Sequence, residues 1–124
     1  MMFTGVLTAL VTPFRDGKVD RKALAELVEW QLDCGIDGFV PCGTTGEAAT
    51  LTAEERIEVI RTVVEVTKGR GPVIAGTGTN STRASIELTK AAREAGADGT
   101  LLVCPYYNKP TQAGLEAHFR TILA

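Results

Sequence analysis

The chain alternates short apolar runs with helical patterns, and it does so four times in 124 residues. The apolar runs predict strands at 6–11, 38–41, 73–75 and 99–104. Each run precedes a segment in which apolar residues recur every three or four positions, as in an amphipathic helix. Buried strands that each lead into a helix are typical of parallel sheets covered by helices. The sequence therefore predicts an α/β fold built from four βα units.

Residues that start and stop helices mark the ends of the helical segments. Asp20 is the expected N-cap of the first helix, and Gly35 is the expected stop after it. The second helix begins at 52–55, TAEE, which has the S/T-x-x-E spacing of a capping box. The third helix is predicted between a cap at 80–81 and a stop at Gly96.

Two stretches of the sequence resemble each other, which favours a closed barrel over an open sheet. CGIDGFVPCG at 34–43 and AGADGTLLVCP at 95–105 share Gly-x-Asp-Gly, an apolar run and a cysteine. Such repetition suits a (β/α)8 barrel, which needs eight units and about 250 residues. The fourth helical pattern starts at about Ala113. We therefore expect residues 1–124 to be the N-terminal half of one barrel domain, truncated in the fourth helix; an open flavodoxin-like sheet is the alternative.

Composition and charge exclude several classes of protein. Apolar residues make up 44% of the chain and the net charge is −2, so neither a nucleic acid nor a membrane is an expected partner. The cysteines, an odd number at 34, 42 and 104, lack the spacing of a metal site or a disulfide framework. We expect a cytoplasmic protein without a bound metal.

The loop GTTGE at 43–47 follows the second predicted strand, where parallel α/β folds place functional groups. Gly43 and Gly46 are expected to adopt positive φ, so that successive backbone N–H groups form a nest for an anion. The hydroxyls of Thr44 and Thr45 would add donors. This pattern suits a small carboxylate, whereas a triphosphate would need a following lysine. A plain turn before the next helix is the alternative.

Other candidate residues are weaker. Tyr106 and Tyr107, the only tyrosines, either relay protons in a dry site or pack a loop. The loop GTGTNS at 76–81 has only part of a dinucleotide fingerprint, and a tight turn explains it better. His118 is predicted to be a surface histidine on the last helix. Lys109 lies in a polar loop and is expected to be exposed, so the chain offers no evident nucleophile.

Four segments together resemble the N-terminal half of the dihydrodipicolinate synthase family of pyruvate-dependent aldolases. They are TALVTPF, GTTGEAATLT, AGTGTNST and CPYYNKPTQAGL, in the order and spacing of that family. The resemblance implies a (β/α)8 barrel that condenses pyruvate with L-aspartate 4-semialdehyde on the route to diaminopimelate and lysine. The pyruvate forms an imine with a lysine that lies outside these 124 residues, so no separate cofactor is expected.

The resemblance also assigns roles to individual residues. Thr45, helped by the backbone of Gly43 and Gly46, would bind the pyruvate carboxylate. Thr44 and Tyr107 would be catalytic, as two members of a three-residue proton relay. Family members are usually homotetramers in which the residue at the position of Tyr107 reaches into the neighbouring subunit's site. We expect the chain alone to be inactive and to form a dimer or a higher oligomer.

Regulation by lysine is a further expectation from the resemblance. A candidate regulatory site would include Ala49, Asn80 and Tyr106. A glutamate that is common there in regulated members is Ala84 in this chain, so weak or no lysine inhibition is expected. Two other readings stay open: a sibling aldolase that acts on a sugar acid or a hydroxy-oxo acid, and a non-catalytic half-barrel that associates with itself.

Overall fold

Parallel strand pairs form the centre of the fold in the computed structural model, which describes residues 3–124. The elements follow the chain as β1 (Leu7–Ala9), β2 (Phe14–Arg15), β3 (Lys18–Val19), α1 (Arg21–Asp33), β4 (Gly38–Val40), a short 3-10 helix (Ala48–Thr50), α2 (Ala53–Thr67), β5 (Ile74–Gly76), α3 (Thr82–Glu94), β6 (Gly99–Leu101) and α4 (Gln112–Leu123). The four predicted βα units are confirmed. Residues 1 and 2 of the predicted domain lie outside the described residues.

The long strands pair in the order in which they occur along the chain. β1 pairs with β4 in parallel, with Leu7 opposite Gly38. β5 pairs with β6 in parallel, with Gly76 opposite Leu101. A parallel bridge between Phe39 and Val73 joins the two pairs. Sequential parallel strands with a helix after each one are the arrangement from which a (β/α) barrel is built.

Two strands are shorter than predicted by several residues, whereas the other two differ from the predicted bounds by one residue. The first covers Leu7–Ala9 instead of 6–11, and the fourth covers Gly99–Leu101 instead of 99–104. In both cases the apolar run continues beyond the last paired residue into the following loop. An apolar sequence indicates that a segment is suited to burial. Strand pairing also needs a neighbouring strand whose residues lie directly opposite.

A hairpin that the sequence analysis missed precedes α1. β2 and β3 are antiparallel, and the turn between them is Asp16-Gly17, with φ of 52° and 75°. Positive φ at both central residues is the geometry of a type I′ hairpin turn, which Asp-Gly favours. The dipeptide was therefore the signal that could have revealed the hairpin.

Local caps fix where the helices begin. The Asp20 side chain accepts a hydrogen bond from the Ala23 N–H. Thr52 and Glu55 form the predicted capping box, with both reciprocal hydrogen bonds present. Caps of this kind each stabilise a helix by about 1 kcal/mol. Gly35 adopts φ of 87° just after α1, as predicted for a C-terminal stop.

The main core lies between the strands and the helices. Four side chains in or directly beside the strands are almost completely buried in this layer: Leu10, Phe39, Val73 and Ala75. They pack in one cluster with residues of α1 and α2: Leu24, Val28, Val59, Ile60 and Val63. Each helix also packs on the next, α1 on α2, α2 on α3 and α3 on α4. This outer layer holds the strand ends in place.

The opposite face of the strands is much more open. Successive strand residues point to opposite faces, so Leu101 of β6 lies on the face away from the helices, and Val103 follows in the loop after the strand. Their exposed fractions are 50% and 43%, and Val11 near the other edge is 50% exposed. These apolar side chains correspond to the interior of a barrel, which we call the inner face.

Candidate functional site

The carboxyl ends of β4, β5 and β6 come together and bound a cleft. Backbone hydrogen bonds tie them to one another: the Gly76 N–H donates to Pro41 O at 2.8 Å, and the Thr77 N–H donates to Leu101 O at 3.2 Å. The cleft has a volume of about 620 Å³. It is lined by Cys42, Gly43, Thr44, Glu47, Ala48, Ala49, Thr50, Arg56, Gly76, Gly78, Leu101, Leu102, Val103 and Tyr106.

The loop at 43–47 is a compact turn that its own backbone holds together. The Gly46 N–H donates to Gly43 O at 3.1 Å, and the Glu47 N–H donates to Thr44 O at 3.0 Å. The buried Thr12 hydroxyl donates to Gly46 O at 2.8 Å, which anchors the turn to the end of the first βα unit. Hydrogen bonds within the chain therefore define the conformation of the turn without a ligand.

The predicted positive φ at Gly43 and Gly46 is wrong. The left-handed positions are the residues just outside the glycines, Cys42 with φ of 56° and Glu47 with φ of 58°. Gly46 is needed for space instead, because a Cβ there would lie 2.9 Å from Leu10 O. A Cβ at Gly43 would meet nothing closer than Val40 Cγ1 at 4.0 Å. The backbone strain thus lies one residue outside each glycine.

Thr44 and Thr45 offer hydrogen-bond donors to solvent. Both residues are exposed at the tip of the turn. Within residues 3–124, neither their backbone N–H groups nor their hydroxyls take part in a hydrogen bond. Two adjacent N–H groups and two hydroxyls on a fixed turn can bind an anionic oxygen without breaking an existing contact.

The tyrosine loop is held close to the loop after β5. The Asn108 side-chain amide donates to Asn80 O at 2.9 Å, and the Asn108 N–H donates to Tyr106 O at 2.8 Å. Tyr106 lines the cleft, whereas Tyr107 is 94% exposed and adopts φ of 69°. The side chain of Tyr107 therefore points away from the rest of the described chain.

The structure brings some of the predicted site residues together and leaves others apart. Gly43, Thr44, Ala49 and Tyr106 line the same cleft. The other predicted residues, Thr45, Gly46, Asn80 and Tyr107, do not contribute to its lining in the part of the chain that is described. A relay between Thr44 and Tyr107 is thus not assembled within one copy of residues 3–124.

Arg56 is a site residue that the sequence analysis missed. Its side chain is 5% exposed and lines the cleft, and its Nε donates to Ala48 O at 2.9 Å. Helical spacing was the available signal, because Arg56 lies on the same face as Val59, Ile60 and Val63, the buried stripe of α2. A charged residue in such a stripe indicates a buried charge with a specific contact.

Cys42 lies next to Arg56 and stays protonated. Burial raises the pKa of the Cys42 thiol to about 12, and the nearby Arg56 charge opposes this only in part. The thiol donates to Arg56 O, with 3.6 Å between sulfur and oxygen. Cys42 is therefore an inert packing residue at neutral pH, since the thiolate is the reactive form.

The prediction that His118 lies on the surface is wrong. The residue is 6% exposed, and its Nδ1 lies 2.9 Å from the hydroxyl of Thr82. Because α4 packs on α3, the His118 ring lies at the contact between the two helices. The packing of α4 on α3 decides which face of α4 is covered, and a single histidine in the sequence does not indicate that face.

The chain has five lysines that could in principle form an imine, and all of them are exposed to solvent. They are Lys18, Lys22, Lys68, Lys90 and Lys109. An imine-forming lysine needs a desolvated amine or a neighbouring cation that lowers its pKa. The expected exposure of Lys109 is confirmed.

The described part of the chain offers neither a metal cluster nor a membrane-spanning helix. Among residues 3–124, no three histidine, cysteine or acidic side chains cluster closely enough to hold a metal ion. None of the helices found in the same range combines the length and the apolar character that crossing a bilayer requires.

Comparisons with known proteins agree with this geometry. Residues 2–124 match the model of the Dihydrodipicolinate synthetase family. The chain is 63% identical over 122 residues to a 4-hydroxy-tetrahydrodipicolinate synthase of Maridesulfovibrio salexigens, covering 98% of this chain and 42% of the relative. It is 64% identical over 121 residues to the enzyme of the same name from Magnetococcus marinus, covering 98% and 41%.

Solved structures give the same result. Dihydrodipicolinate synthase from Aquifex aeolicus superposes with a TM-score of 0.94 at 53% identity, covering 97% of this chain and 41% of that one. The chloride-inhibited enzyme from Acinetobacter baumannii, solved with pyruvate, gives a TM-score of 0.95 at 54% identity, covering 98% and 42%. The chain thus spans about 42% of the length of these relatives, and the predicted half-barrel fold class is confirmed. Since the family model matches 2–124, the chain belongs to the Dihydrodipicolinate synthetase family.

Proposed function

We propose that these residues supply the substrate-gripping half of an enzyme that condenses pyruvate with L-aspartate 4-semialdehyde in lysine and diaminopimelate biosynthesis. The observation that carries the proposal is the fixed turn at 43–47, which presents unused donors of Thr44 and Thr45 at the carboxyl ends of the strands. A related structure from Acinetobacter baumannii is described as complexed with pyruvate. The position of the turn fits the end of a barrel where substrates bind.

Thr45 and the adjacent backbone bind the pyruvate carboxylate in this proposal. Hydrogen bonds to a charged oxygen are shorter and stronger than those between neutral groups. The turn needs no rearrangement, because Gly46 and Glu47 already use their N–H groups to close it. Gly43 and Gly46 thus contribute backbone shape, and the hydroxyl of Thr45 contributes a directed donor.

The nucleophile comes from outside residues 1–124. A lysine amine attacks the oxo carbon of pyruvate, water leaves, and the resulting imine loses a proton to become an enamine that attacks the aldehyde. The exposure of all five lysines of the chain supports this assignment. The chain alone is therefore inactive.

Proton transfer needs a second copy of the chain. Tyr107 is 94% exposed with φ of 69°, a backbone conformation that projects the ring outward. Thr44 of one copy and Tyr107 of another copy form two members of the relay, within a cytoplasmic homo-oligomer. The complete enzyme is a tetramer, and residues 1–124 alone form a dimer or a larger assembly.

In the same proposal, lysine inhibits this protein weakly or not at all. Ala49 and Tyr106 line the cleft, and Asn80 is tied to the tyrosine loop through Asn108. Ala84 offers no carboxylate for the ammonium group of lysine. Assay of the complete polypeptide with millimolar lysine tests this point, and strong inhibition would contradict it.

Replacing Thr45 tests the proposed function. Thr45→Val removes the hydroxyl with little change in shape, and we expect kcat/KM for pyruvate to fall roughly 10- to 100-fold. Thr45→Ser keeps the hydroxyl and should retain most of the activity. The control Thr50→Val alters a hydroxyl that donates to Glu47 O at 3.0 Å in the same turn. Unchanged pyruvate kinetics in Thr45→Val would contradict the assignment.

A further inference from the structure

The loop between β6 and α4 has an unfavourable backbone conformation at two of its residues. Tyr107 adopts φ of 69° and Lys109 adopts φ of 49°, so both lie in the left-handed region. That region is unfavourable for any residue with a Cβ, and it persists only where the surrounding structure holds the backbone in place. Contacts to other parts of the fold are therefore needed to keep this loop in its conformation.

The ring of Tyr107 depends entirely on that loop for its position. The residue is 94% exposed, so its own copy of the chain covers almost none of it. A hydroxyl that takes part in proton transfer has to lie within hydrogen-bond distance of its partner. The contacts that hold the backbone of the loop therefore decide whether the Tyr107 hydroxyl reaches Thr44 of another copy.

Two polar contacts tie the loop and the following helix to the start of α3. In the loop, the Asn108 side-chain amide donates to Asn80 O at 2.9 Å. In α4, Nδ1 of His118 lies 2.9 Å from the hydroxyl of Thr82. Thr82 is the first residue of α3, and Asn80 lies two residues before it. The loop and α4 are thus both anchored at the same point of the fold.

His118 occupies its buried position at an energetic cost. It is 6% exposed, and its Nε2 is buried without a hydrogen-bond partner among residues 3–124. Whichever ring nitrogen carries the proton, Nε2 stays unpaired there, and an unpaired buried polar atom is unfavourable. An apolar side chain would avoid this loss. What the histidine adds is its contact with Thr82, the one hydrogen bond of the ring in the described part of the chain.

We propose that His118 is a positioning residue of the proton relay, which fixes α4 through Thr82 and thereby the loop that carries Tyr107. The inference rests on the proposed function, because it requires that Tyr107 serves the site of another copy. Loss of the contact should slow proton transfer. Binding of pyruvate should be unaffected, since the turn at 43–47 is held by its own hydrogen bonds.

Steady-state kinetics of the complete polypeptide with Thr82→Val test the proposal. The variant removes the hydroxyl with little change in shape, and we expect kcat to fall about tenfold with KM for pyruvate unchanged. Thr82→Ser keeps the hydroxyl and should retain most of kcat. The matched control is Thr121→Val, because Thr121 is an exposed residue of α4 whose hydroxyl donates to Ala117 O at 2.7 Å. This control should leave kcat unchanged.

A double-mutant cycle with Tyr107→Phe separates positioning of the relay from a general loss of structure. Because Thr82 acts through Tyr107 in the proposal, Thr82→Val should lower kcat no further in a protein that already lacks the Tyr107 hydroxyl. A loss of the same size in both backgrounds would show that Thr82 supports the fold alone and would reject the proposal. An unchanged kcat in Thr82→Val, or an equal loss in Thr121→Val, would also reject it.

Two variants of His118 examine the contact from the side of α4. The amide of His118→Asn can replace Nδ1 as the partner of Thr82, so this variant should keep more of kcat than His118→Leu. Thermal melts check that both variants fold; equal kcat in two folded variants would reject the proposal, and the Thr82 cycle decides it where either does not fold. Borohydride trapping of pyruvate by the unmodified polypeptide tests the proposed function separately. Absence of an adduct would overturn that function, whereas normal trapping with an unchanged kcat in Thr82→Val would overturn this inference alone.

Discussion

The two faces of the strand layer are covered by other parts of the chain to very different degrees. On the outer face, Phe39 and Ala75 are fully covered by α1 and α2. On the inner face, Leu101 is 50% exposed although it belongs to β6 and pairs with Gly76 of β5. The sequence is apolar on both faces, so the difference comes from what covers each one. The outer face has its helices in this chain, and the inner face lacks the opposite side of a barrel.

The location of the candidate site follows the same division. The outer layer fixes the strand ends through close packing and helix caps. The candidate site lies where those ends meet the inner face, at Thr44, Thr45 and the tyrosine loop. A rigid scaffold that carries its chemistry on loops is the usual arrangement in parallel α/β proteins.

The largest expected difference between the two faces is in the free energy of unfolding. Phe39→Ala removes a fully buried ring from the outer core and should cost about 3–5 kcal/mol. Val103→Ala removes a side chain that is 43% exposed on the inner face, and it should cost less than about 1 kcal/mol in the isolated chain. Urea titrations followed by circular dichroism measure both. Equal losses would mean that the inner face is covered in solution.

A second comparison concerns the strand ends, where the backbone of one loop approaches the backbone of the next strand closely at Gly76 and leaves space at Gly43. A Cβ at Gly76 would lie 1.9 Å from Cys42 O, so Gly76→Ala should destabilise the protein by about 1–3 kcal/mol or more. Gly43→Ala places its Cβ in ordinary contact with Val40 and should change stability by less than about 0.5 kcal/mol. Thermal melts of both variants test this, and an unaltered melting temperature for Gly76→Ala would contradict the geometry.

The open inner face should drive self-association of the 124-residue chain. Leu101→Lys puts a charge on that face and should weaken association about tenfold or more, because a charge opposes burial. Trp30→Lys is the control, since Trp30 is 61% exposed on the helical side. Sedimentation equilibrium gives the association constants. Dissociation by Trp30→Lys and not by Leu101→Lys would assign the contact to the helical layer.

The smallest expected effect is a pH dependence in the outer layer. The Ala23 N–H and the Arg15 guanidinium hold the pKa of Asp20 below its usual value. A lowered pKa in the folded state adds stability above the unfolded pKa, and this stability is lost as the pH falls through the folded value. Asp20→Asn should therefore flatten the acid side of the stability profile, as measured by melts from about pH 7 to about pH 2.5. An unchanged acid slope would contradict this role.

Local signals in the sequence predicted the four βα units, although the local Asp16-Gly17 turn signal was overlooked, and long-range packing caused the error at His118. Asp20, the capping box and Gly35 act within one helical turn, so their positions could be read directly. The burial of His118 depends on how α4 packs on α3, which no local pattern encodes.

The geometry of the candidate site differs from what the sequence predicted. GTTGE was predicted to be a ligand-binding turn with positive φ at its glycines, yet the positive φ values belong to Cys42 and Glu47. Gly46 is explained by the approach of Leu10 O from another βα unit, a contact that exists only in the folded chain. Arg56 was missed because a charged residue is not expected in an apolar stripe, although its position matches the buried stripe of α2.

Borohydride trapping with pyruvate, followed by peptide mapping, tests the central claim most directly. The claim is that this chain binds the pyruvate carboxylate and that a lysine outside residues 1–124 forms the imine. In the complete polypeptide we expect one reduced adduct on a lysine beyond residue 124, and in the 124-residue chain alone we expect none. An adduct on any of the five lysines within residues 1–124 would contradict the division of labour between the two halves of the barrel.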